Sequence, residues 1–253
     1  MLILKDVSLS YQDGGKSVLD VLKNINLEVE TGKFVSLIGP SGCGKSSICN
    51  LIAGVEVPAQ GDIFLEGRSI KGIPGQVGYM PQKDLLLPWR TLLDNVALGS
   101  DIRREDKRQS REKARHWLDR FGLGKFAEHY PHQLSGGMRQ RGALLRTFLF
   151  GQNALILDEP FGALDALTRR EMQEWLLNVW SQSRPTVVFI THDIEEAILL
   201  SDEVVVLSHS PARILDKIHV PFSRPREQDL LLSGEAINIK KHLLDLLNGK
   251  RNV

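Results

Sequence analysis

Apolar and polar residues alternate along the first part of the chain, in LILKDVSLSY (residues 2–11) and in INLEVE (residues 25–30). Alternation with a period of two is typical of strands that bury one face. The next apolar segment, KFVSLIG (residues 33–39), is continuous instead, which indicates a parallel strand buried on both faces. A glycine-rich run follows it directly, and ICNLIAGV (residues 48–55) predicts a helix.

The hydrophobic period changes from about Gln82 onward. RTLLDNVALG (residues 90–99) and REKARHWLDRFGL (residues 111–123) have the spacing of amphipathic helices. Strand-like and helix-like segments then alternate, in the order ALILDEP, TVVFITH, DIEEAILLS and EVVVLS (residues 154–160, 186–192, 193–201 and 203–208). This order predicts an α/β fold with a parallel sheet, into which a helical segment of about residues 83–145 is inserted.

The end of the chain differs from the domain that precedes it, which is predicted to span residues 1–222. Residues 223–253 are predicted to form a short C-terminal tail. Within it, AINIKKHLLDLLNGK (residues 236–250) has the pattern of an amphipathic helix. We expect this helix to dock on the preceding domain.

Composition is that of an ordinary globular protein, with 42% hydrophobic and 25% charged residues among 253. The net charge of +1 gives no reason to expect a nucleic-acid partner. A basic run at residues 101–115 is interleaved with acids, which is typical of a solvated helix face. The two cysteines lack zinc-site spacing and fit a reducing cytosol. We expect no signal peptide and no membrane span, since no apolar run approaches the roughly 18 residues required.

GPSGCGKS (residues 39–46) matches the phosphate-loop pattern G-x-x-x-x-G-K-[ST] between a predicted strand and a predicted helix. Its glycines allow backbone amides to approach phosphate oxygens closely. Lys45 is expected to contact the β- and γ-phosphates, and the Ser46 hydroxyl is expected to bind Mg²⁺. Because Cys43 lies inside this loop, we expect its alkylation to block nucleotide binding and bound ATP to protect it.

Two acids end the apolar strand ALILDEP. Asp158, at the strand end, fits the Mg²⁺-binding acid that accompanies a phosphate loop. Glu159, the next residue, suits a base that orients the attacking water. Together with the phosphate loop, these acids predict a Mg-dependent ATPase of the P-loop class.

A second glycine-containing helix start lies in LSGGMRQR (residues 134–141). Ser135 has the character of a helix N-cap, and Gly136 and Gly137 allow a phosphate to approach the first backbone amides. The positive end of the helix dipole favours an anion at this position. The pattern therefore indicates a second phosphate-binding helix start in the same chain.

Six motifs of this chain resemble those of the ATP-binding subunit of an ABC transporter. They occur in the order expected for that family, over residues 1 to about 220. LSGGMRQR is similar to the signature motif of that family. Gln82 stands where the family has its Q-loop glutamine, and GALD (residues 162–165) resembles the D-loop. His192 matches the switch histidine, and Tyr11 resembles the aromatic residue that stacks on adenine.

The resemblance implies a P-loop NTPase (RecA-like) core with a parallel sheet, an N-terminal antiparallel β subdomain and an inserted helical subdomain. It implies ATP and Mg²⁺ as cofactors. The implied catalytic residues are Glu159, His192, Lys45 and Gln82, and the implied Mg²⁺ ligands are Ser46, Gln82 and Asp158. The implied nucleotide-binding residues are Tyr11, Gly39, Pro40, Ser41, Gly42, Cys43, Gly44, Lys45, Ser46, Ser47, Ser135, Gly136, Gly137 and Asp165.

The resemblance also implies that two subunits, expected to be identical, enclose two ATP molecules head to tail. Ser135, Gly136 and Gly137 would then bind the γ-phosphate of the ATP held by the partner, which explains why one chain has two phosphate-binding helix starts. Two positions depart from the commonest family pattern, since Met138 replaces a glutamine and Gly162 replaces a serine.

LLPWRTLLDNV, FGALDALTR and THDIEEAILLSD are most similar to importers of nitrate, sulfonates, taurine or pyrimidine precursors. That resemblance implies a transmembrane permease docking near residues 82–98, an indirectly acting solute-binding protein, and a peripheral position on the cytoplasmic face of the inner membrane. Two alternatives stay open. The apolar residues 85–89 could be core, and the chain could be a soluble ABC-type ATPase of iron–sulfur assembly or one linked to DNA or ribosomes.

Overall fold

The structure, a computed structural model, describes residues 1–13 and 17–249. Within these residues the strands are β1 (Leu2–Asp13), β2 (Ser17–Val29), β3 (Phe34–Ile38), β4 (Gln60–Leu65), β5 (Arg68–Ser69), β6 (Gly78–Met80), β7 (Ala154–Asp158), β8 (Thr186–Ile190), β9 (Glu203–Leu207) and β10 (Ile214–His219). The helices there are α1 (Lys45–Ile52), α2 (Leu92–Val96), α3 (Leu98–Ile102), α4 (Lys107–Arg120), α5 (Gly136–Leu149), α6 (Ala166–Ser183), α7 (Ile194–Leu200) and α8 (Gly234–Leu247).

The chain divides into two compact units. The first comprises Met1–Gln76 together with the chain from Arg184 onward, and the second comprises Val77–Ser183. The predicted end of the main domain at residue 222 and the predicted helical insertion at about residues 83–145 stay predictions.

The first unit contains an antiparallel sheet in the strand order β2-β1-β4-β5. Leu2, Leu4, Val7 and Leu9 of β1 are all buried, because side chains two positions apart share one face of a strand. The step of three between Leu4 and Val7 coincides with a shift in register and with a positive φ of 52° at Asp6. Such a bulge keeps the apolar side chains on the inner face. The predicted N-terminal antiparallel segment is confirmed.

The first unit also contains strands in the order β10-β9-β3-β8. Strand β3 pairs in parallel with both β8 and β9. All five residues of β3 and all five of β8 are buried, which is why four of the five residues in each strand are apolar. Strand β10 runs antiparallel to β9. Strand β10 was not predicted, because its ILDKIH pattern is short and lies between turn-forming segments.

The second unit contains the parallel pair β6 and β7 together with helices α2 to α6. The partly buried Trp175 ring of α6 contacts the rings of Trp117, Phe121 and Phe148 edge to face. Aromatic pairs of this geometry add to the stability gained by burying their area. The sequence analysis did not predict α6, because its apolar and polar residues are not segregated into a clear stripe.

The tail helix α8 packs on the first unit. Its Leu243 is fully buried in a cluster with Ala197 and Ile198 of α7 and with Val204 and Val206 of β9. This is the docking that the amphipathic pattern predicts. Among the described residues, no helix is long and apolar enough to cross a membrane.

Candidate nucleotide-binding site

The phosphate loop joins β3 to α1 in the first unit. Gly42 has φ 73° and Gly44 has φ 109°, in a backbone region that residues other than glycine rarely adopt. A Cβ on Gly44 would also lie 2.8 Å from the Leu22 side chain, so this position requires glycine for two reasons. Gly44 is the N-cap of α1, and no side chain caps the helix there. The first amides of α1 are therefore available to an anion, and the loop fits a phosphate group.

Lys45 is buried at the first position of α1. Its Nζ donates hydrogen bonds to the carbonyl oxygens of Gly39 and Pro40, at 2.8 and 2.9 Å. The ammonium group is thus held over the loop by the loop itself. Ser46, the next residue, is exposed, so its hydroxyl is open to a ligand.

Tyr11 lies on β1 with 43% of its surface exposed. Its hydroxyl donates a hydrogen bond to Glu56 Oε2 at 2.6 Å, and Asn50 Nδ2 donates to Glu56 Oε1 at 2.9 Å. Partial burial and the hydrogen bond to Glu56 raise the pKa of Tyr11 above its ordinary value. The polar end of the ring is therefore fixed while part of its surface stays accessible. The sequence analysis missed Glu56 and Asn50, whose pairing has no local sequence signal.

In the second unit, β7 ends at the two predicted acids. All five residues of β7 are buried, including Asp158, whereas Glu159 is partly exposed. Glu159 has φ 48°, a left-handed conformation that is uncommon outside glycine and asparagine. Such backbone conformations cost free energy and cluster at functional sites. The chain therefore turns sharply at Glu159, directly after the end of β7.

Two amides of the second unit contact Glu159. Gln82 Nε2 donates a hydrogen bond to its carboxylate oxygen Oε2 at 3.2 Å, and Gln140 Nε2 donates to its carbonyl oxygen at 3.5 Å. Gln140 belongs to the LSGGMRQR segment, and the sequence analysis missed its contact with Glu159. A Cβ on Gly162 would lie 3.9 Å from Glu159 Oε2. A serine would fit at position 162, so the glycine removes a hydroxyl from the vicinity of this carboxylate.

The signature-like segment forms the start of α5. Ser135 is the N-cap, and its hydroxyl accepts a hydrogen bond from the Met138 amide at 3.3 Å. This confirms the predicted cap. Ser135 and Gly136 are exposed. Arg139 anchors the segment, because it pairs with Asp84 at 3.0 Å and donates to the carbonyl oxygen of the residue before Ser135 at 2.8 Å.

Two further predicted residues lie at helix starts. The Asp165 carboxylate accepts a hydrogen bond from the Thr168 amide at 3.0 Å, which caps α6. This hydrogen bond lowers the pKa of Asp165. In the first unit, His192 is exposed between β8 and Asp193, the N-cap of α7.

The apolar segment after Gln82 has both inner and outer residues. Leu86 is only 6% exposed, whereas Leu85 is 58% and Trp89 is 72% exposed. Leu85 has φ 43°, and its carbonyl oxygen accepts a hydrogen bond from Arg146 at 2.7 Å. The alternative that the apolar residues 85–89 belong to the core is therefore correct for Leu86 and wrong for Leu85 and Trp89.

Comparison with known proteins identifies the family. The protein-family model described as ABC transporter matches residues 22–162, which is more than half of the chain. An uncharacterised ABC transporter ATP-binding protein of Methanocaldococcus jannaschii is 41% identical over 97% of this chain and 91% of its own length. A nitrate import ATP-binding protein of Synechococcus elongatus is 42% identical over 89% and 84%, respectively. An aliphatic sulfonates import ATP-binding protein of Bacillus cereus is 43% identical over 83% of each. The chain belongs to the ABC transporter family.

A solved structure supports the same assignment. A dimeric bacterial ABC transporter cassette aligns with 88% of this chain and all of its own, with a TM-score of 0.81 and 29% identity. The predicted P-loop NTPase fold class is thus confirmed. Family membership makes this chain an ATP-hydrolysing domain that uses ATP and Mg²⁺, as predicted.

Proposed function

We propose that the chain is the ATP-hydrolysing subunit of a bacterial ABC importer for a small solute such as nitrate, a sulfonate, taurine or a pyrimidine precursor. The import proteins for nitrate and aliphatic sulfonates, each more than 40% identical to it, support this proposal. They also disfavour the soluble alternatives in iron–sulfur assembly or on DNA and ribosomes.

The phosphates of ATP are proposed to bind in the loop of residues 39–47. The loop amides and Lys45 would hold the β- and γ-phosphates, and the Tyr11 ring would stack on adenine. Ser46, Gln82 and Asp158 offer the oxygen ligands that Mg²⁺ prefers. Bound Mg²⁺ would neutralise charge that develops on the phosphate oxygens.

Glu159 is proposed to polarise the attacking water, and His192 to hold the geometry of this water and the γ-phosphate. A carboxylate that orients a nucleophile must be held within hydrogen-bonding reach of it. The left-handed backbone of Glu159 and the Gln82 hydrogen bond restrict the carboxylate in the way this role needs.

A second copy of the chain is proposed to complete each ATP site through Ser135, Gly136, Gly137 and Asp165. Gly136 supports this proposal. Its φ is not in the positive range, and the nearest side-chain atom to a Cβ there would be 3.9 Å away. Folding of this chain therefore does not require glycine at this position, which is the first residue of α5. A ligand that approaches from outside the chain explains why it is present.

The observation that carries the importer proposal is the Gln82–Glu159 hydrogen bond. It joins the proposed water-polarising residue to a segment that exposes Leu85 and Trp89. Leu85 and Trp89 are close in sequence, and an exposed apolar patch with polar surroundings is a feature of protein interaction sites. A transmembrane permease docking near residues 82–98 would therefore act directly on the geometry of Glu159. This docking would place the chain peripherally on the cytoplasmic face of the inner membrane, and a solute-binding protein would act through the permease.

The test is a pull-down of tagged Glu159→Gln protein from detergent-solubilised native membranes with ATP present, read by mass spectrometry. We expect a multi-span permease in stoichiometric yield, and its loss when Trp89→Ser is added. Leu232→Ser, which removes an equally exposed leucine in the tail, is the control and should retain the permease. Recovery of soluble partners or nucleic acid alone would overturn the importer proposal.

A further inference from the structure

The short helix α7 begins two residues after His192, at Ile194, and its N-cap Asp193 follows His192 directly, so the position of α7 influences the position of this residue. Asp193 Oδ1 accepts hydrogen bonds from the amides of Glu195 and Glu196 at 2.9 and 3.2 Å. The Asp193 amide donates in turn to Thr191 Oγ1 at 3.0 Å. The backbone of His192 is thus fixed between the end of β8 and the first turn of α7. A shift of α7 must carry His192 with it.

Two arginines of the C-terminal tail hold the last turn of α7. The final carbonyl groups of a helix have no partner within the helix. Arg226 Nη1 donates to the carbonyl oxygens of Ile198 and Ser201 at 2.8 and 2.5 Å. Arg224 Nη2 donates to the carbonyl oxygen of Leu200 at 2.6 Å. Positive charge at this end also complements the helix dipole.

These arginines connect α7 to the central strand β3. Arg224 pairs with Asp202 Oδ1 at 3.0 Å, and Asp202 Oδ2 accepts a hydrogen bond from the Phe34 amide at 2.8 Å. Arg226 also donates to the carbonyl oxygen of Phe222 at 2.8 Å. Burial, together with the neighbouring charge of Arg224, lowers the pKa of Arg226 to about 10. Arg226 is therefore still charged at neutral pH, and backbone carbonyl oxygens compensate for its burial.

The helix α8 holds the other end of α7. Lys240 Nζ forms an ion pair with Glu195 Oε1, in the first turn of α7. One turn further along α8, Leu243 packs against Ala197 and Ile198. The tail therefore contacts the first turn, the middle and the last turn of a helix of seven residues.

We infer that the C-terminal tail is a positioning element for His192, in which Arg224, Arg226 and Lys240 hold the two ends of α7. The inference rests on the proposed role of His192. None of the three residues is placed at the reacting atoms, so they act through α7. A displacement of a catalytic group by about 1 Å can lower a rate by about 100-fold. Loosening α7 should therefore lower turnover, while ATP affinity, which depends on the phosphate loop and Tyr11, stays unchanged.

The test compares Arg226→Met, Lys240→Gln and the conservative Lys240→Arg. The matched control is His242→Ala, which removes the 3.0 Å contact between α8 and Asp216 of β10 without touching α7. Two quantities are measured for each variant: kcat and KM for MgATP, and the NMR resonances of the His192 ring in nucleotide-free protein. His192→Ala identifies these resonances and separately tests the role of His192.

We expect Arg226→Met to shift the His192 resonances and to lower kcat by about 10-fold, with KM within about twofold of the parent. Lys240→Gln should shift the same resonances and lower kcat by about two- to fivefold, because the ion pair that it removes is partly exposed. Lys240→Arg should restore both quantities, and His242→Ala should change neither. Unchanged resonances and turnover in folded Lys240→Gln and Arg226→Met would overturn the inference. If Arg226→Met does not fold, the Lys240 pair still decides. Parental turnover in His192→Ala would instead overturn the proposed role of His192.

Discussion

Lys45 Nζ donates a hydrogen bond of 2.8 Å to the carbonyl oxygen of Gly39, so a residue near the end of the phosphate loop is bound to the residue that begins the loop. A second hydrogen bond to the Pro40 carbonyl oxygen uses another of its three protons. The ammonium group is thus held at the start of the phosphate loop before any anion binds. A side chain that is already in place loses less conformational entropy when phosphate arrives.

Lys45→Ala should therefore weaken MgATP binding by about 10- to 100-fold, since hydrogen bonds to charged groups are each worth about 1.5–3 kcal/mol. Isothermal titration calorimetry measures the Kd directly. Lys5→Ala, at an exposed position of β1, removes a lysine outside the loop and should bind as the parent does. Parental affinity in Lys45→Ala would contradict the proposed role of this lysine.

Glu159→Gln should retain ATP binding and lose about 10²- to 10⁴-fold in turnover, because the amide cannot act as a base. The substitution is isosteric, so the backbone at φ 48° is not disturbed. Phosphate release and calorimetry together separate catalysis from binding. Glu174→Gln breaks an exposed ion pair with Arg170 on α6 and is the matched control, with parental turnover expected. Turnover near the parental value in Glu159→Gln would remove this residue from the mechanism.

Periodicity identified β1, β3 and β8, because each pattern reports how many faces of a strand are buried. The phosphate loop was also predictable, since the positive φ angles at Gly42 and Gly44 permit few other residues. Both signals are local. Each depends only on the side chains and backbone angles of residues that are close together in sequence.

The contacts around Glu159 were not predictable in the same way. Its left-handed backbone has no sequence signal in a residue other than glycine, and the amides of Gln82 and Gln140 come from distant parts of the second unit. The same limit applies to Leu85 and Leu86. These neighbours are chemically identical, yet Leu85 is exposed in a left-handed backbone conformation and Leu86 is buried.

Alkylation of Cys43 should be slow, a property that its position in the phosphate loop did not predict. The side chain is buried, with Sγ 3.0 Å from the site of a Cβ on Gly39. Burial raises the pKa of the Cys43 thiol, and the positive charge of Lys45 offsets this only in part. A raised pKa leaves less of the reactive thiolate at pH 7–8. The rate with iodoacetamide should therefore still be rising at a pH where the rate of an unfolded thiol, with a pKa of about 8.5, levels off.

Mass spectrometry of a Cys49→Ala background follows Cys43 alone, because the two cysteines are the only ones in the chain. MgATP should slow the reaction further, since ATP bound to the loop opposes the opening that exposes Sγ. The urea-unfolded protein gives the reference rate. Equal rates in folded and unfolded protein would show that the thiol is accessible, and equal rates with and without MgATP would place the nucleotide elsewhere.

Tyr11 allows its ring and its hydroxyl to be tested separately. The hydroxyl is bound to Glu56, so the exposed part of the ring is what remains for adenine. Tyr11→Phe should keep ATP affinity within about threefold, whereas Tyr11→Ala should weaken it by about 5- to 100-fold, because stacking of a base on an aromatic ring is worth about 1–3 kcal/mol. Stacking tolerates any base, so GTP affinity should fall in parallel with ATP affinity. Calorimetry on both variants measures these ratios. Equal losses in Tyr11→Phe and Tyr11→Ala would mean that the Glu56 hydrogen bond, and not the ring, supports binding.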